Sequence, residues 1–297
     1  MKSLVKNGLM FFAGILILAT SCTTMNESEE KSGKGTVVLK LTDAPFPVSL
    51  VDKTIVNVDK IEIHGTTASS TTESGTVTPT SEEDENEDAS NYIVLSEETQ
   101  QFDLLKLQNG ITTELLKADL EVGTYDMIRL HITDAKVILK DGTEFALKIP
   151  GGTSSGLKIM LSPKLIVEDG SMSEIILDFD VSKSFVVQGN PKTPAGIKGF
   201  LFKPVVRGMC ENYSGSIAGK VFENETTPIA GAHVKVIKGT EEITSAISAT
   251  DGTYAIIGLP AGTYSMTCEA EGYISVAANP VIVKAKQKTI QDFKLSK

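Results

Sequence analysis

The chain has no tryptophan, three cysteines and three histidines in 297 residues. Each scarcity removes a class of answer. Three thiols cannot build a multi-bridge disulfide scaffold or a four-thiolate zinc site. His64, His131 and His233 lie in separate segments, and no two have zinc-ligand spacing. Basic residues are in deficit, with 28 Lys plus Arg against 38 Asp plus Glu and a formal net charge of -10. This balance argues against nucleic acid as a partner, which favours a basic face that condenses on phosphate. The EF-hand spacing is missing, as are a G-x-S-x-G elbow and the Lys-Ser/Thr ending of a phosphate loop. The N-terminal apolar run, Leu9 to Ala19, is shorter than the roughly 20 residues that span a bilayer. What is present is an apolar fraction of 41%, enough for folded cores. The length suits roughly two domains of about 100–200 residues each.

Lys2 and Lys6 precede the apolar run, which ends in Leu18-Ala19-Thr20-Ser21-Cys22. A basic start, a short apolar stretch and small residues make a secretory signal. Small residues closing on a Cys resemble a bacterial lipobox. The resemblance implies cleavage after Ser21, lipid on the Cys22 sulfur and a membrane anchor of several acyl chains, far firmer than one chain alone. Residues 22–34 are polar and aperiodic, as a tether is. Thr23, not Asp, follows the Cys. In the best-known bacterial sorting pattern this implies the outer membrane, with the periplasmic face and the cell surface both open.

From Gly35 onward the pattern is β. Val37, Leu39 and Leu41 alternate in GTVVLKLTDAP. In TIVNVDKIEIHG the apolar phase slips from Val56 and Val58 to Ile61 and Ile63, which predicts a bulge near Asp59-Lys60. Residues 66–91 hold seven acids and no Lys or Arg; they read as a disordered, solvated acidic loop and not as a calcium site, which needs six to eight converging oxygens. Further strands are expected at Tyr92–Leu95 and Phe102–Leu107. TTELLKADL reads as a helical turn or two, capped by Thr112 or Thr113. In GTYDMIRLHITDAKVIL, Ile128, Leu130 and Ile132 point in, and Met127, Arg129 and His131 point out. Strands near Leu157–Leu161, Lys164–Val167, Glu174–Phe179 and Phe200–Val206 follow. After Gly215 come about seven short strands in 82 residues. The expected fold class is all-β: two antiparallel β-sandwich domains in tandem, at 35–209 and 216–297, with a connector at 210–215.

Several residues invite chemistry. Asp178 and Asp180 share one face of a strand, as a glycosidase pair would, but Lys183, Arg207 and Lys203 offer ordinary partners for a structural network. Asp43, before Ala44-Pro45, is expected to close a local Asx-type turn. Gly151-Gly152-Thr153-Ser154-Ser155-Gly156 reads as a loop which, with Lys158, lines a binding surface. Cys210 and Cys268 pair in an oxidising envelope or stay free, Cys268 on an inward phase. His131 and His233 fall on polar phases and are expected at the surface. Tyr92, Tyr213 and Tyr273 are the loop-adjacent aromatics that could stack on a sugar ring. LEVGTYDM (120–127) and LPAGTYSM (259–266) echo each other, which is read as convergence on one turn-into-strand device.

Two resemblances rest on particular residues. Gly219-Lys220-Val221, the run Pro228 to Val234, Thr250-Asp251-Gly252-Thr253-Tyr254, Gly258 to Tyr264 and Glu271-Gly272-Tyr273 resemble the carboxypeptidase regulatory-like family. That resemblance implies a transthyretin-like sandwich of the carbohydrate-binding-like group, a module without an implied activity. Leu41-Thr42-Asp43-Ala44-Pro45, Asp103-Leu104-Leu105, Asn109-Gly110, Gly123-Thr124-Tyr125 with Ile128-Arg129-Leu130, Ser155-Gly156-Leu157-Lys158, Leu177-Asp178-Phe179-Asp180 with Ser184, and Lys203-Pro204-Val205-Val206-Arg207 resemble the bacterial domain-of-unknown-function family 4382. It implies no chemistry.

The expected function is that of a non-catalytic, lipid-anchored envelope protein that binds a carbohydrate or a protein partner and needs no metal or cofactor. A structural or assembly subunit of a surface complex is the alternative, and a hydrolase ranks last. The candidate residues are Cys22 for lipidation and Tyr92, Lys158, Tyr213 and Tyr273 for ligand. A fatty-acid probe fed to expressing cells is expected to label the protein and to lose that label in Cys22→Ala. Retained label would remove the anchor.

Overall fold

The computed structural model describes residues 33–44, 49–67, 91–150, 155–224 and 226–297. The leader, Cys22, nearly all of the tether, most of the acidic loop and Gly151–Ser154 lie outside the described residues.

The N-terminal domain is built from β1 (Lys34–Ala44), β2 (Val51–Thr67), β3 (Tyr92–Ser96), β4 (Gln100–Asp103), β5 (Thr113–Glu121), β6 (Gly123–Leu139), β7 (Glu144–Ala146), β8 (Leu157–Val167) and β9 (Met172–Asp180). A single helical turn α1 (Val181–Ser184), the hairpin β10 (Phe185–Gly189) and β11 (Ile197–Phe202), and β12 (Val206–Cys210) complete it. The main strand order is β3-β2-β6-β8-β12-β9-β1-β5, with β4 beside β2 and β7 beside β6. The path is a sandwich opened along one seam, because β8 and β12 meet through one parallel pair, Gly208 with Leu161. A Cβ on Gly208 would stand 2.7 Å from Leu161 Cδ2, so glycine lets the Leu161 side chain lie directly against β12 at the seam. The inner faces of both halves share one core, in which Leu39 and Leu41 meet Ile61, Ile63, Ile128, Leu130 and Leu177. The β10–β11 hairpin contributes Phe185 and Phe202, whose ring centres lie 5.0 Å apart and each 6.3 Å from Phe179.

The C-terminal domain comprises β13 (Ser214–Asn224), β14 (Thr227–Pro228), β15 (His233–Lys238), β16 (Glu241–Ile247), β17 (Thr253–Pro260), β18 (Gly262–Glu269), β19 (Val276–Val283), β20 (Lys288–Ile290) and β21 (Phe293–Lys294). One sheet runs β14-β13-β17, with β20 and β21 alongside β13; the other runs β16-β15-β18-β19. Tyr264, Met266 and Cys268 alternate inward along β18 onto Val221, Val234 and Phe293.

The protein is all-β and built from two domains. The pairing is mixed and not wholly antiparallel, since β1 with β9, β8 with β12, and β13 with both β20 and β21 run parallel. The chain returns to β1 from the far side after a long excursion, as a parallel partner must. The expected helical turn at Thr112–Leu120 is instead β5. The edge of β1 carries a row of backbone donors and acceptors, and β5 satisfies them from Lys34↔Glu121 to Leu41↔Thr113; the ladder outweighs local helix propensity. The expected strand Phe102–Leu107 stops at Asp103, and a 3-10 turn then sinks Leu104 and Leu107 into the core. The segments Leu157–Leu161 and Lys164–Val167 are one strand. Residues 161–164 bow away from β6, because Met127 pairs with Met160 and Tyr125 with Leu165. Pro163, without an N–H, sits in that excursion. The bulge at Asp59-Lys60 is present, between Val58 and Lys60.

The sequence echo has a structural meaning. At both places the chain crosses from one layer of a sandwich to the other. Tyr125 Oη donates to Glu121 O at 2.9 Å, and Tyr264 Oη donates to Pro260 O at 2.8 Å. Each phenol ties its corner four residues back, which resembles the tyrosine corner of other sandwiches.

Phe202→Ala is expected to destabilise the protein by about 3–5 kcal/mol in urea unfolding, the usual cost of emptying an aromatic core position. A loss below about 1 kcal/mol would show that the hairpin does not belong to the main core.

Candidate functional site

On the outer face of one sheet half, β3, β2, β6 and β8 line up side chains in register. One row reads Val94, Glu62, Arg129, Lys158, and the next reads Tyr92, His64, Met127, Met160. The Arg129 guanidinium lies 3.5 Å over the centre of the Tyr92 ring, a cation–π contact. Tyr92 Oη donates to Met127 Sδ at 3.3 Å, and the Tyr92 and His64 ring centres are 5.0 Å apart. Glu62 is 7% exposed and gathers three nitrogen partners: Lys60 Nζ at 2.8 Å, His131 Nε2 at 2.9 Å and Arg129 Nη1 at 3.5 Å. Burial pushes its carboxyl up, but the hydrogen bonds from Lys60 and His131 prevail and hold it below the ordinary value. Asp126 accepts from His64 at 2.7 Å and from Lys164 at 3.0 Å. Its burial raises the pKa, and these two partners more than reverse that.

Gly156 closes the site. Its φ is +66°, and a Cβ there would meet Arg129 Cγ at 2.6 Å and His131 Cε1 at 3.1 Å. The chain entering β8 therefore lies directly on the Arg129 stem. Arg129 and Lys158 stand opposite each other as like charges, an unfavourable cross-strand pair that Glu62 offsets from the other side.

A second polar cluster is buried between the domains. Asp178 accepts from Arg207, its register partner on β12, and from Thr244 Oγ1 of the C-terminal domain at 3.4 Å. Asp180 accepts from Ser182 Oγ at 2.6 Å, from Lys183 N at 3.1 Å and from Lys183 Nζ at 3.0 Å. Lys183 Nζ also donates to Glu242 O at 2.9 Å, across the same interface. The local turn expected at Asp43 would run through residues 45–48, which lie outside the described residues. Asp43 Oδ1 accepts from Val181 N at 3.2 Å, 138 residues along the chain, because parallel pairing lays β1 beside β9. Ser184 Oγ accepts from Val205 N at 2.9 Å. A space of about 10 Å³, lined by Thr42, Asp43, Asp178, Thr244 and Ser245, is about one water in size. Burial, reinforced by Asp178, pushes the Asp43 carboxyl well above the carboxylate range. Burial also raises Asp178, with Arg207 opposing.

The sequence-derived candidates divide. Tyr92 and Lys158 come together on either side of Arg129. Tyr213 and Tyr273 do not join them. Tyr213 lies in the 3-10 turn Glu211–Tyr213, 37% exposed, and its carbonyl accepts from Ala261 N. Tyr273 donates to Glu223 at 3.1 Å under Lys297. His131 was expected in solvent and is buried, because Glu62 supplies a partner that lets it be covered. His233 is half-buried, and burial pushes its pKa down. Cys210 belongs to β12 and the core, not to a connector. Cys210 and Cys268 are free and buried, with thiols pushed up by burial to about 11 and about 12. Among the described residues no cluster of His, Cys, Asp or Glu is arranged to hold a metal, and no helix is long and apolar enough to cross a membrane. Glu62, Arg129 and His131 are the site residues that sequence reasoning missed. The outward phase of β6 marked two of them, but no sequence signal aligns Glu62 with them.

Asp43, Asp178, Asp180 and Ser184 of this cluster belong to the N-terminal motifs and fall within the range of a family match. The domain of unknown function family DUF4382 matches residues 34–204, more than half of the chain. The chain belongs to this family. A carboxypeptidase regulatory-like domain matches residues 216–296. None of the curated proteins matches the chain. Among solved structures, it is similar to a candidate carbohydrate binding protein from Bacteroides uniformis ATCC 8492, with 21% identity and a TM-score of 0.23 over 27% of this chain and 40% of that one. It is similar to a streptococcal ancillary pilin, with 17% identity and a TM-score of 0.24 over 90% of this chain and 63% of the pilin. A third is the shaft pilin of Lactobacillus rhamnosus GG, with 11% identity and a TM-score of 0.25 over 88% and 97%. The chain thus spans less than two thirds of the first two.

Asp43 allows a pH test. The unfolded chain releases the Asp43 proton near pH 4, whereas the folded chain retains it to higher pH. The folded state therefore binds more protons in between, and stability falls as pH rises through that window. Asp43→Asn is expected to match or exceed the parent at about pH 7 and to flatten the decline from about pH 4 upward, read by urea unfolding at several pH values. A variant as stable as the parent near pH 4 but clearly weaker near pH 7 would mean that Asp43 is needed as an anion.

Proposed function

We propose that the protein is a non-catalytic binding module, lipid-anchored through Cys22 in the outer membrane, that holds carbohydrate on the outer face around Arg129. One observation carries this reading: Arg129 is braced between the Tyr92 ring, Glu62 and the chain at Gly156, with Lys158 opposite. A guanidinium held in this way loses little freedom when it binds, so its hydrogen bonds cost less to form. Its neighbours supply donors and acceptors of the kind sugar hydroxyls use, with Met160, 61% exposed, as an apolar patch for a ring face.

The non-catalytic part is supported by the fate of the acids. Asp178 and Asp180, the pair with glycosidase spacing, are 6% and 2% exposed. They are engaged by Arg207, Thr244, Ser182 and Lys183 beneath the C-terminal domain. A sugar would have to part the domains to reach them. A second reading, a subunit of a surface assembly, is favoured by the exposed Val94, Met160 and Ile166 on the same half.

A glycan array is expected to find a ligand for the parent protein, and Arg129→Ala is expected to weaken it by about tenfold or more, the loss of charge-assisted hydrogen bonds. An array without ligands, together with a partner protein that co-purifies from detergent extracts, would favour the assembly reading.

A further inference from the structure

A separate groove of about 470 Å³ opens between the domains, within the size range of small-ligand sites and at a domain boundary, where such sites concentrate. One wall is N-terminal and carries Lys40, Thr112, Glu174, Ile176 and Glu211. The facing wall carries Ser214 and Ser216 of β13, Ile257 of β17, and Lys286, Gln287 and Lys288 of the turn into β20. Lys40 Nζ and Glu174 Oε2 form an ion pair at 2.5 Å. Lys286 and Lys288 are exposed, and neither has a carboxylate within ion-pair distance among the described residues. Lys286 also holds φ +58°, a conformation uncommon for a side chain other than Asn, Asp or Gly. The turn accepts it because Lys286 N donates to Ser214 O at 2.7 Å, which folds the Lys286–Lys288 stretch onto the groove.

We infer that this groove binds an acidic sugar, a glycan bearing uronate carboxylates. The inference rests on the carbohydrate reading above but concerns a different surface. Lys286 and Lys288 would take the carboxylate by charge-assisted hydrogen bonds. The Lys40–Glu174 pair offers a donor beside an acceptor, the combination that a sugar hydroxyl satisfies at both ends. Thr112, Ser216 and Gln287 add neutral partners, and Ile176 and Ile257 form a small apolar floor.

The test is isothermal titration of the full chain with trigalacturonate, with maltotriose as the uncharged control and tri-aspartate as the peptide control. Trigalacturonate is expected to bind, and the double variant Lys286→Ala with Lys288→Ala is expected to lose about tenfold or more in affinity with an unchanged melting temperature. Arg129→Ala is expected to leave this binding intact. No binding of trigalacturonate overturns the inference, as does equal binding by the double variant, or tri-aspartate binding as tightly. If trigalacturonate fails while an array glycan binds and is lost in Arg129→Ala, the outer-face reading stands and only the groove is wrong. If neither the array nor the titration finds a sugar, both fall.

Discussion

The carboxylate of Asp178 holds the two domains in one frame. It is covered on every side, so it must be partnered within the protein, and an unpartnered charge there would be very costly. Arg207 answers it from the neighbouring strand, and Thr244 answers it from the other domain. Asp180 repeats the arrangement through Lys183, whose ammonium group reaches the Glu242 carbonyl. The N-terminal domain thus presents buried polar groups that the C-terminal domain helps to satisfy. Such groups specify one relative placement, since a slide of either domain would strand them.

This fixed placement creates the surfaces that matter. The groove between Lys40 and Lys286 exists only because the two walls are held at one separation. The outer face around Arg129 depends on a different constraint, the register of four strands. A shift of one residue along β2 would send Glu62 and His64 to the core and bring Ile61 and Ile63 out. The bulge between Val58 and Lys60 sets that phase and places Lys60 beside Glu62. Acid residues are thus divided between two tasks, bracing cations on the face and locking the domains together.

Much of the architecture was legible. The alternation of Val37, Leu39 and Leu41, the slip at Asp59-Lys60 and the inward phase of Tyr264, Met266 and Cys268 all follow from a side-chain period of two, which is a local property. The GTY echo was legible as a device, although not as a corner between layers. The segment at Thr113 was misread because its local propensity favours helix while the unpaired edge of β1 demanded a strand. The distant partner of Asp43 was hidden for the same kind of reason, since Val181 is 138 residues away. Of the site, Tyr92 and Lys158 were found as individual residues; their meeting through Arg129 needed the alignment of β3, β2, β6 and β8.

By itself, the sequence determined the β period and the two modules with their families. These depend on neighbours a few residues apart. Only the tertiary structure decided which strands run parallel, that His131 is covered, and that scattered motif acids form an interdomain lock while Arg129 becomes a braced cation. Each of these depends on contacts across long stretches of chain. Such contacts leave no periodic mark in the sequence, because the energy of a buried charge is set by what surrounds it in space.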